Sequence, residues 1–428
     1  MKYARGRDDP GASGGGSEAM NADRVLAMVL AGGEGTRLAP LTAVRSKPAV
    51  PFGARYRIID FVLSNLVNSE IYSIYMLVQY RSQPLIEHIR NAWVLAPILP
   101  HHFVTVVPPQ MHEGPEWFQG TADAVYQNLD LLRAHAPTLV VVFGGDHIYR
   151  MDVRDMIDFH CARQADVTVA AVPVPRTEAS TLGVITCEPC GRIRRFIEKP
   201  ADPPAMPGDP TRAYASMGNY VFSTAALVGA LSESRKRGEK DFGRHVLPRL
   251  AESHRVYAYD FTQNRVPGVR HQEERAYWRD VGTVDAYFAA SMDTLGAEPR
   301  FNLFNPRWPI RSSNHQAPAA HILDAHIQTS HIGTGAVVKG GTIRNSIIRR
   351  EVTIAEDVVL EDCVIMDHCS IARGARLRRT IVDRYNCIEA GTRIGFDQDA
   401  DRARYHVTDS GVVVVPMGPV PAHANLYE

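Results

Sequence analysis

The chain has no net charge to speak of: 47 lysines and arginines cancel 47 aspartates and glutamates over 428 residues. Without an overall field, neither nucleic acid nor an anionic membrane surface is an expected partner. No apolar run approaches the roughly 20 residues that a membrane-spanning helix needs. The N-terminus has no apolar core of a secretory signal. Six cysteines in so long a chain do not make a disulfide framework. Cys187 and Cys190 form one Cys-x-x-Cys with no second pair to complete a four-ligand zinc site, so Cys187-Glu188-Pro189-Cys190-Gly191 reads as a hairpin turn. These absences together lead to the expectation of a reduced, cytoplasmic protein. Two phosphate-binding loops are missing as well. No stretch supplies Gly-x4-Gly-Lys-Ser/Thr, and Leu38 stands where the third glycine of a dinucleotide fingerprint belongs.

What is present begins at Val25. An apolar run, Val25 to Val29, reads as a buried parallel strand. It enters Gly32-Gly33-Glu34-Gly35-Thr36-Arg37-Leu38, with Lys47-Pro48 downstream. The glycines let backbone N–H groups approach a phosphate, and Arg37 adds a fixed, permanently charged fork. A strand feeding such a loop is a nucleotide-binding device. The Gly-Gly-x-Gly-Thr-Arg-Leu pattern with its Lys-Pro resembles the signature of sugar-nucleotide pyrophosphorylases, which join a sugar 1-phosphate to a nucleoside triphosphate.

At this length two domains are expected. Residues 1–23 are rich in Gly, Ser, Asp and Arg and read as a disordered extension. Across 24–296, short apolar runs (Ile74 to Val78, Leu139 to Phe143, Val167 to Val172, Tyr220 to Phe222) alternate with helical spacing over Arg57 to Val67 and Met151 to Cys161. That alternation argues for an α/β layered domain with a mostly parallel sheet, whose phosphate ligands bind at the carboxyl ends of the strands. Residues 297–321 hold several prolines and no period, and read as a linker. Across 322–428 the rhythm changes. Ile332, Val338, Ile343, Ile348, Ile354, Leu360, Ile365, Ile371, Leu377, Val382, Ile388 and Ile394 recur at steps of six, with some of five. This period suits neither a helix nor an amphipathic strand, and marks a parallel β-helix of hexapeptide turns, a fold that often packs against copies of itself.

Several residues could carry chemistry. Asp146 follows the strand Leu139 to Phe143 through Gly144-Gly145, where it can hold Mg²⁺ beside a phosphate or simply cap the next helix. Asp280, in Tyr277-Trp278-Arg279-Asp280-Val281-Gly282-Thr283, offers a second carboxylate for the same ion. Glu198-Lys199-Pro200 ends another expected strand. There Lys199 can neutralise a sugar phosphate and Glu198 can accept from sugar hydroxyls, or the two can form a solvated ion pair. Ser216-Met217-Gly218 starts a further strand, and Gly183 would let a flat ring approach the backbone.

Taken together, these segments resemble the bacterial glucose-1-phosphate adenylyltransferase family, also called ADP-glucose pyrophosphorylases, collinearly from about Val25 to Val415. Ser46 to Gly53, Arg57-Ile58-Ile59-Asp60-Phe61 with Leu63-Ser64-Asn65, Gln119 to Ala124 and Ala215 to Gly218 carry the likeness beyond the opening loop. The resemblance implies a Rossmann-like, GT-A-like catalytic domain followed by a left-handed β-helix, and a Mg²⁺-dependent reaction of ATP with glucose 1-phosphate. It implies Arg37 at the departing pyrophosphate, Lys47 at the α-phosphate, Asp146 and Asp280 on Mg²⁺, and Lys199 on the sugar phosphate. Gly32, Gly33, Gly35, Thr36, Gln79 and Gly120 would bind the nucleotide, with Gln79 and Gly120 on the adenine side. Phe118, Gly183, Glu198 and Ser216 would surround the sugar. It also implies a homotetramer, a place in glycogen synthesis and control by small-molecule effectors, for which Arg45, Arg57 and Arg384 are candidate anion contacts.

There are departures. Phe118 stands where many members have tyrosine, Val44 replaces an effector-binding lysine of enteric members, and the loop Pro108 to His112 is shorter. The β-helix histidines His326, His331 and His368 lack the setting of an acyltransferase. A non-catalytic regulatory subunit would have lost the charged set, whereas Arg37, Lys47, Asp146, Lys199 and Asp280 are all present.

Overall fold

The computed structural model describes residues 25–96, 98–110 and 116–421. The expected N-terminal extension, and Met111 and His112 of the short loop, lie outside the described residues.

The first strand, Val25–Ala31, lies in a nine-stranded sheet between Ser73–Val78 and Leu139–Gly144, parallel to both. Phe103–Val107 continues this parallel edge. Residues of these strands are apolar on both faces because helices cover both, as a parallel sheet requires. One face packs Ile59, Leu63 and Leu66 of the helix Ile58–Asn68 into a common core with Val25, Ala27 and Val29. The other packs Val125, Leu132 and Leu231 with Leu26 and Met28.

Beyond Leu139–Gly144 antiparallel pairs enter the sheet, while Val256–Asp260 runs parallel to Val167–Pro175. The long strand Arg212–Ser223 pairs antiparallel with Leu139–Gly144, Val167–Pro175 and Gly183–Cys187. The sheet is thus mixed, with its parallel half carrying the glycine loop. Ser216 does not begin a strand: it lies inside this one, at a register shift between Ser216 and Tyr220. Gly218 sits there at φ 72, a left-handed conformation that glycine adopts without penalty. Gly183–Cys187 and Ile193–Glu198 form the hairpin expected at the Cys-x-x-Cys, with Gly191 N–H donating to the Glu188 carbonyl at 2.9 Å.

From His321 onward, two- to four-residue strands stack into three parallel sheets, as in Val337–Val338 on Thr353–Ile354 on Ser370–Ile371. The periodic aliphatics point inward. Val338, Ile343, Ile348, Ile354, Leu360, Ile365, Ile371, Leu377, Val382 and Ile394 have no exposed surface.

The stretch 297–321 is strapped onto the α/β domain. Ser312 Oγ donates to Asp60 Oδ2 at 2.6 Å, Asn68 Nδ2 to the Pro309 carbonyl at 2.9 Å, and Trp308 and Ile310 are buried. The β-helix docks directly too. Arg349 Nη1 donates to the carbonyls of Phe52 and Tyr56 at 3.1 Å, and Arg45 Nη2 reaches both oxygens of Asp383 at 3.0 Å. Ile347, Val364 and Ile381 of the β-helix share one apolar cluster with Phe52, Phe61 and Tyr287.

Candidate active site

Three parallel strands end on one edge, so the loops that follow them must meet. Gly32 faces Gln79 closely enough that a Cβ on it would lie 3.4 Å from Gln79 Cβ. Gly145 N–H donates to the Leu30 carbonyl at 2.9 Å, which brings Asp146 beside the glycine loop. Gly35 adopts φ 65, and a Cβ there would come 3.1 Å from Lys47 Cβ. The loop therefore packs against the stem of Lys47, and Thr42 Oγ1 fixes it by donating to the Gly35 carbonyl at 2.9 Å.

Lys47 is the centre of the site. It sits in the single turn Lys47–Ala49, with its side chain only 7% exposed. Its Nζ donates to Asp146 Oδ2 at 3.0 Å and to Asp280 Oδ1 at 2.8 Å. Two carboxylates 134 positions apart in sequence thus converge on one ammonium (280 less 146). The convergence is made by strand pairing: His147–Tyr149 and Trp278–Asp280 form a two-stranded antiparallel ladder in which Asp280 lies opposite His147. Burial alone would lower the Lys47 pKa, but the Asp146 and Asp280 charges outweigh it and hold it above its ordinary value. Desolvation would raise Asp146, and the Lys47 ammonium and His147 instead hold it well below the usual carboxylate range.

Asp146, Asp280 and His147 each offer a ligand atom, all within 4.8 Å of one another. The two carboxylates are hard oxygen donors of the kind a divalent cation takes, and the imidazole adds a softer third donor. His147 was not singled out from the sequence, although it directly follows Asp146. Its Nδ1 is buried without a hydrogen-bond partner.

A cavity of about 510 Å³ opens beside this cluster, lined by Leu30 to Gly35, Lys47, Gln79, Phe118 to Thr121, Asp146, Gly218, Tyr220 and Asp241. Gly32, Gly33, Gly35, Gln79 and Gly120 line this one cavity, and Phe118, expected beside the sugar, lines the same wall. Gln79 is committed to the chain opposite: its Nε2 donates to the Phe118 carbonyl at 3.1 Å, and its Oε1 accepts from Phe118 N–H at 2.6 Å. It fixes the wall of the cavity with both ends of its amide. Gly120 has no room for a side chain, since a Cβ would fall 2.3 Å from the Lys240 carbonyl oxygen. That carbonyl accepts from the N–H groups of Ala122 and Asp123 at 3.0 and 3.1 Å. Tyr220, read in the sequence only as the start of an apolar run, and Asp241, not singled out there, also line the cavity. Asp241 accepts from Thr121 Oγ1 at 3.0 Å.

Arg37 and Thr36 are exposed, and Arg37 lines a different cleft of about 610 Å³ that shares Asp280 with the site. Its Nη2 lies 3.2 Å from where a Cβ would stand on Gly282. Glu198 and Lys199 line neither cleft, but Glu198 lies beside Asp241: a Cβ on Gly243 would fall 2.6 Å from Glu198 Oε2 and 3.5 Å from Asp241 Oδ1. Burial pushes the Glu198 carboxyl up. Lys199 takes φ 50 and keeps its ammonium half-exposed, 3.8 Å from Glu198 Oε1. The space at Gly183 is filled by protein, because a Cβ would lie 2.7 Å from Phe196 Cζ. Close packing by Phe196, rather than approach of a ring from outside, is what requires glycine there. Ser216 is buried, and its Oγ accepts from Gly218 N–H at 3.2 Å.

The three candidate effector arginines meet at the domain junction, all buried. Arg45 pairs with Asp383. Arg57 donates to the Pro84 carbonyl at 3.2 Å and lines a cleft of about 220 Å³ with Arg349, Arg350 and His88. Arg384 Nη2 donates to Tyr385 Oη at 3.0 Å. Val44 is exposed.

Two family models match the chain: a nucleotidyl transferase domain over residues 26–296, and a GlmU-like C-terminal hexapeptide domain, a left-handed β-helix, over 317–415. Three relatives, each named glucose-1-phosphate adenylyltransferase, match nearly end to end. That of Thermodesulfovibrio yellowstonii is 55% identical, covering 92% of this chain and 96% of its own. The Thermus thermophilus protein is 49% identical over 92% of this chain and 98% of its own. The Frankia casuarinae protein is 46% identical over 93% and 99%. Among the described residues no helix is long and apolar enough to cross a membrane. With these matches spanning both domains and the glycine loop, the lysine and both aspartates assembled at one sheet edge, the chain belongs to the glucose-1-phosphate adenylyltransferase family.

Proposed function

We propose that this chain joins ATP and α-D-glucose 1-phosphate to give ADP-glucose and diphosphate, with Mg²⁺, in the cytoplasm. The observation that carries the reading is the cluster of Lys47, Asp146 and Asp280, of which Lys47 and Asp146 line a cavity of about 510 Å³. In the reaction a phosphate oxygen of glucose 1-phosphate forms a bond to the α-phosphorus of ATP, and the bond from that phosphorus to the bridging oxygen breaks. Diphosphate leaves with the electron pair. No general base is needed because the attacking phosphate is already ionised, so the protein's work is in-line positioning and charge stabilisation. Gly32, Gly33, Gly35 and Thr36 present the phosphate-binding loop, Gln79 and Gly120 shape the wall against the base, and Phe118 faces the sugar end of that wall. Lys47 meets the α-phosphate. Arg37, which lines the second cleft with Asp280, meets the departing diphosphate. Glu198, Lys199 and Ser216 hold the sugar phosphate, and Gly183 keeps that wall close-packed. Asp146 and Asp280 hold Mg²⁺, which when bound neutralises phosphate charge.

The same reading assigns 24–296 to catalysis, 297–321 to the linker and 322–428 to the β-helix, in a homotetramer serving glycogen synthesis. A phosphorylated effector would act through the junction where Arg45, Arg57 and Arg384 lie. The deciding experiment is an initial-rate panel with Mg²⁺, glucose 1-phosphate and each of ATP, UTP, dTTP and GTP, repeated with phosphorylated sugars and adenine nucleotides as effectors. ATP should be preferred by far. A preference for another base would make this a sister nucleotidyltransferase, and no turnover with any would make it a regulatory subunit.

A further inference from the structure

Lys47 lies where the metal-binding reading wants a cation. Its ammonium bridges one oxygen of Asp146 and one of Asp280 at 3.0 and 2.8 Å. The same two carboxylates, with His147, are the three donors whose ligand atoms lie within 4.8 Å of one another. A divalent ion about 2.1 Å from those oxygens would stand against the ammonium, and like charges that close in a partly buried site repel strongly. The two cations therefore compete for one pair of carboxylates.

The surroundings decide which of them can move. The backbone at Lys47 is pinned on both sides. Upstream, Arg45 is clamped to Asp383 with both side chains almost wholly buried. Downstream, Val50 N–H donates to the Lys47 carbonyl at 3.1 Å and the Phe52 carbonyl is held by Arg349. The lysine side chain has four rotatable bonds, and Lys47 lines the wall of the nucleotide cavity. Rotation alone can carry the ammonium from the carboxylates into that cavity. Its reason to leave would be a phosphate, which accepts a charge-assisted bond as readily as a carboxylate does.

We propose that Lys47 is a resident cation that occupies the Asp146–Asp280 site in the free enzyme and exchanges with the divalent ion when nucleotide enters. The triphosphate supplies the ammonium with a new anion and vacates the carboxylates for metal, so metal and nucleotide bind as a unit. This rests on the reading of Asp146 and Asp280 as the metal carboxylates. It gives Lys47 a role opposite in sign to its catalytic one: before nucleotide arrives, Lys47 opposes metal binding.

The test is Mn²⁺ binding by electron paramagnetic resonance, without nucleotide and with the non-hydrolysable α,β-methylene-ATP. Wild type, Lys47→Gln, Lys47→Arg and Lys47→Gln/Asp146→Asn are compared. Without nucleotide, Lys47→Gln should bind Mn²⁺ about tenfold or more tightly than wild type, because a like charge has gone. Lys47→Arg, which keeps the charge, should stay near wild type, and the double variant should lose the gain. With the analogue, wild type should approach Lys47→Gln. Where Lys47→Gln does not fold, Lys47→Met takes its place. Equal Mn²⁺ affinity in wild type and the neutral variant, with tight binding in both once the analogue is present, overturns the exchange and leaves the metal reading standing. Absence of enzyme-bound Mn²⁺ in every variant even with the analogue overturns both.

Discussion

Removing Asp383 tests whether the β-helix and the catalytic domain act as one unit. Arg45 Nη2 contacts both oxygens of Asp383 at 3.0 Å, and the two side chains are 3% and 1% exposed. Arg45 Nη1 is buried and has no hydrogen-bond partner, so Asp383 is the principal compensation for this charge. Breaking a buried pair by deleting one partner costs about 3–5 kcal/mol, because the remaining charge stays desolvated. With an unfolding entropy of about 2.1 cal/mol/K per residue, a chain of 428 residues has roughly 0.9 kcal/mol/K at its midpoint. Asp383→Ala should then lower Tm by about 3–6 °C in differential scanning calorimetry. Arg45 is two residues from Lys47, so kcat should fall with little change in KM for ATP. Replacing both partners by apolar groups, Arg45→Met/Asp383→Leu, should recover most of the stability, since no charge is then stranded. A single variant within about 1 °C of wild type, or a double variant no more stable than the single, would refute the reasoning.

Asp146→Asn should reduce kcat/KM by about a hundredfold or more in initial-rate assays, because a transition-state charge contact is lost while the shape is kept; near-normal turnover would remove it from the metal role. Gly183→Ala should destabilise by about 1–3 kcal/mol, read as a drop in denaturation midpoint, since the added methyl would lie 2.7 Å from Phe196 Cζ. His160 is buried and its Nδ1 lies 2.9 Å from Thr168 Oγ1; burial pushes its pKa down to about 4. The unfolded chain takes up that proton near pH 6.5, so this contribution is full above that pH and is lost as pH falls towards 4, by up to about 3 kcal/mol. His160→Gln should flatten the stability profile in that window, measured by urea titration at pH 7.5 and 5.

Much was legible because it is local. Three glycines and Arg37 after an apolar strand announce a phosphate loop from backbone geometry alone, and a six-residue aliphatic step admits few folds besides a β-helix. Whatever depends on distant partners was not legible. Ser216 reads as a strand start because Gly218 interrupts the pattern, yet the interruption is a bulge inside one long strand held by neighbours on both sides. Gly183 reads as an opening for a ligand, yet the ring of Phe196 fills it. Arg45 looks like a free anion contact until Asp383, 338 residues away, is seen to claim it.

The sequence by itself determined the nucleotide loop, the change from α/β layers to a hexapeptide coil, and the family. Its residues act there through their own dihedral preferences and periodicity, which need no third dimension. Only the tertiary structure decided that Lys47 lies between Asp146 and Asp280, that His147 joins them, and that Arg37 stands in a separate cleft. Those positions follow from which strands end together and which pair. That is set by burial of surfaces far apart in the chain, through contacts that local sequence does not encode.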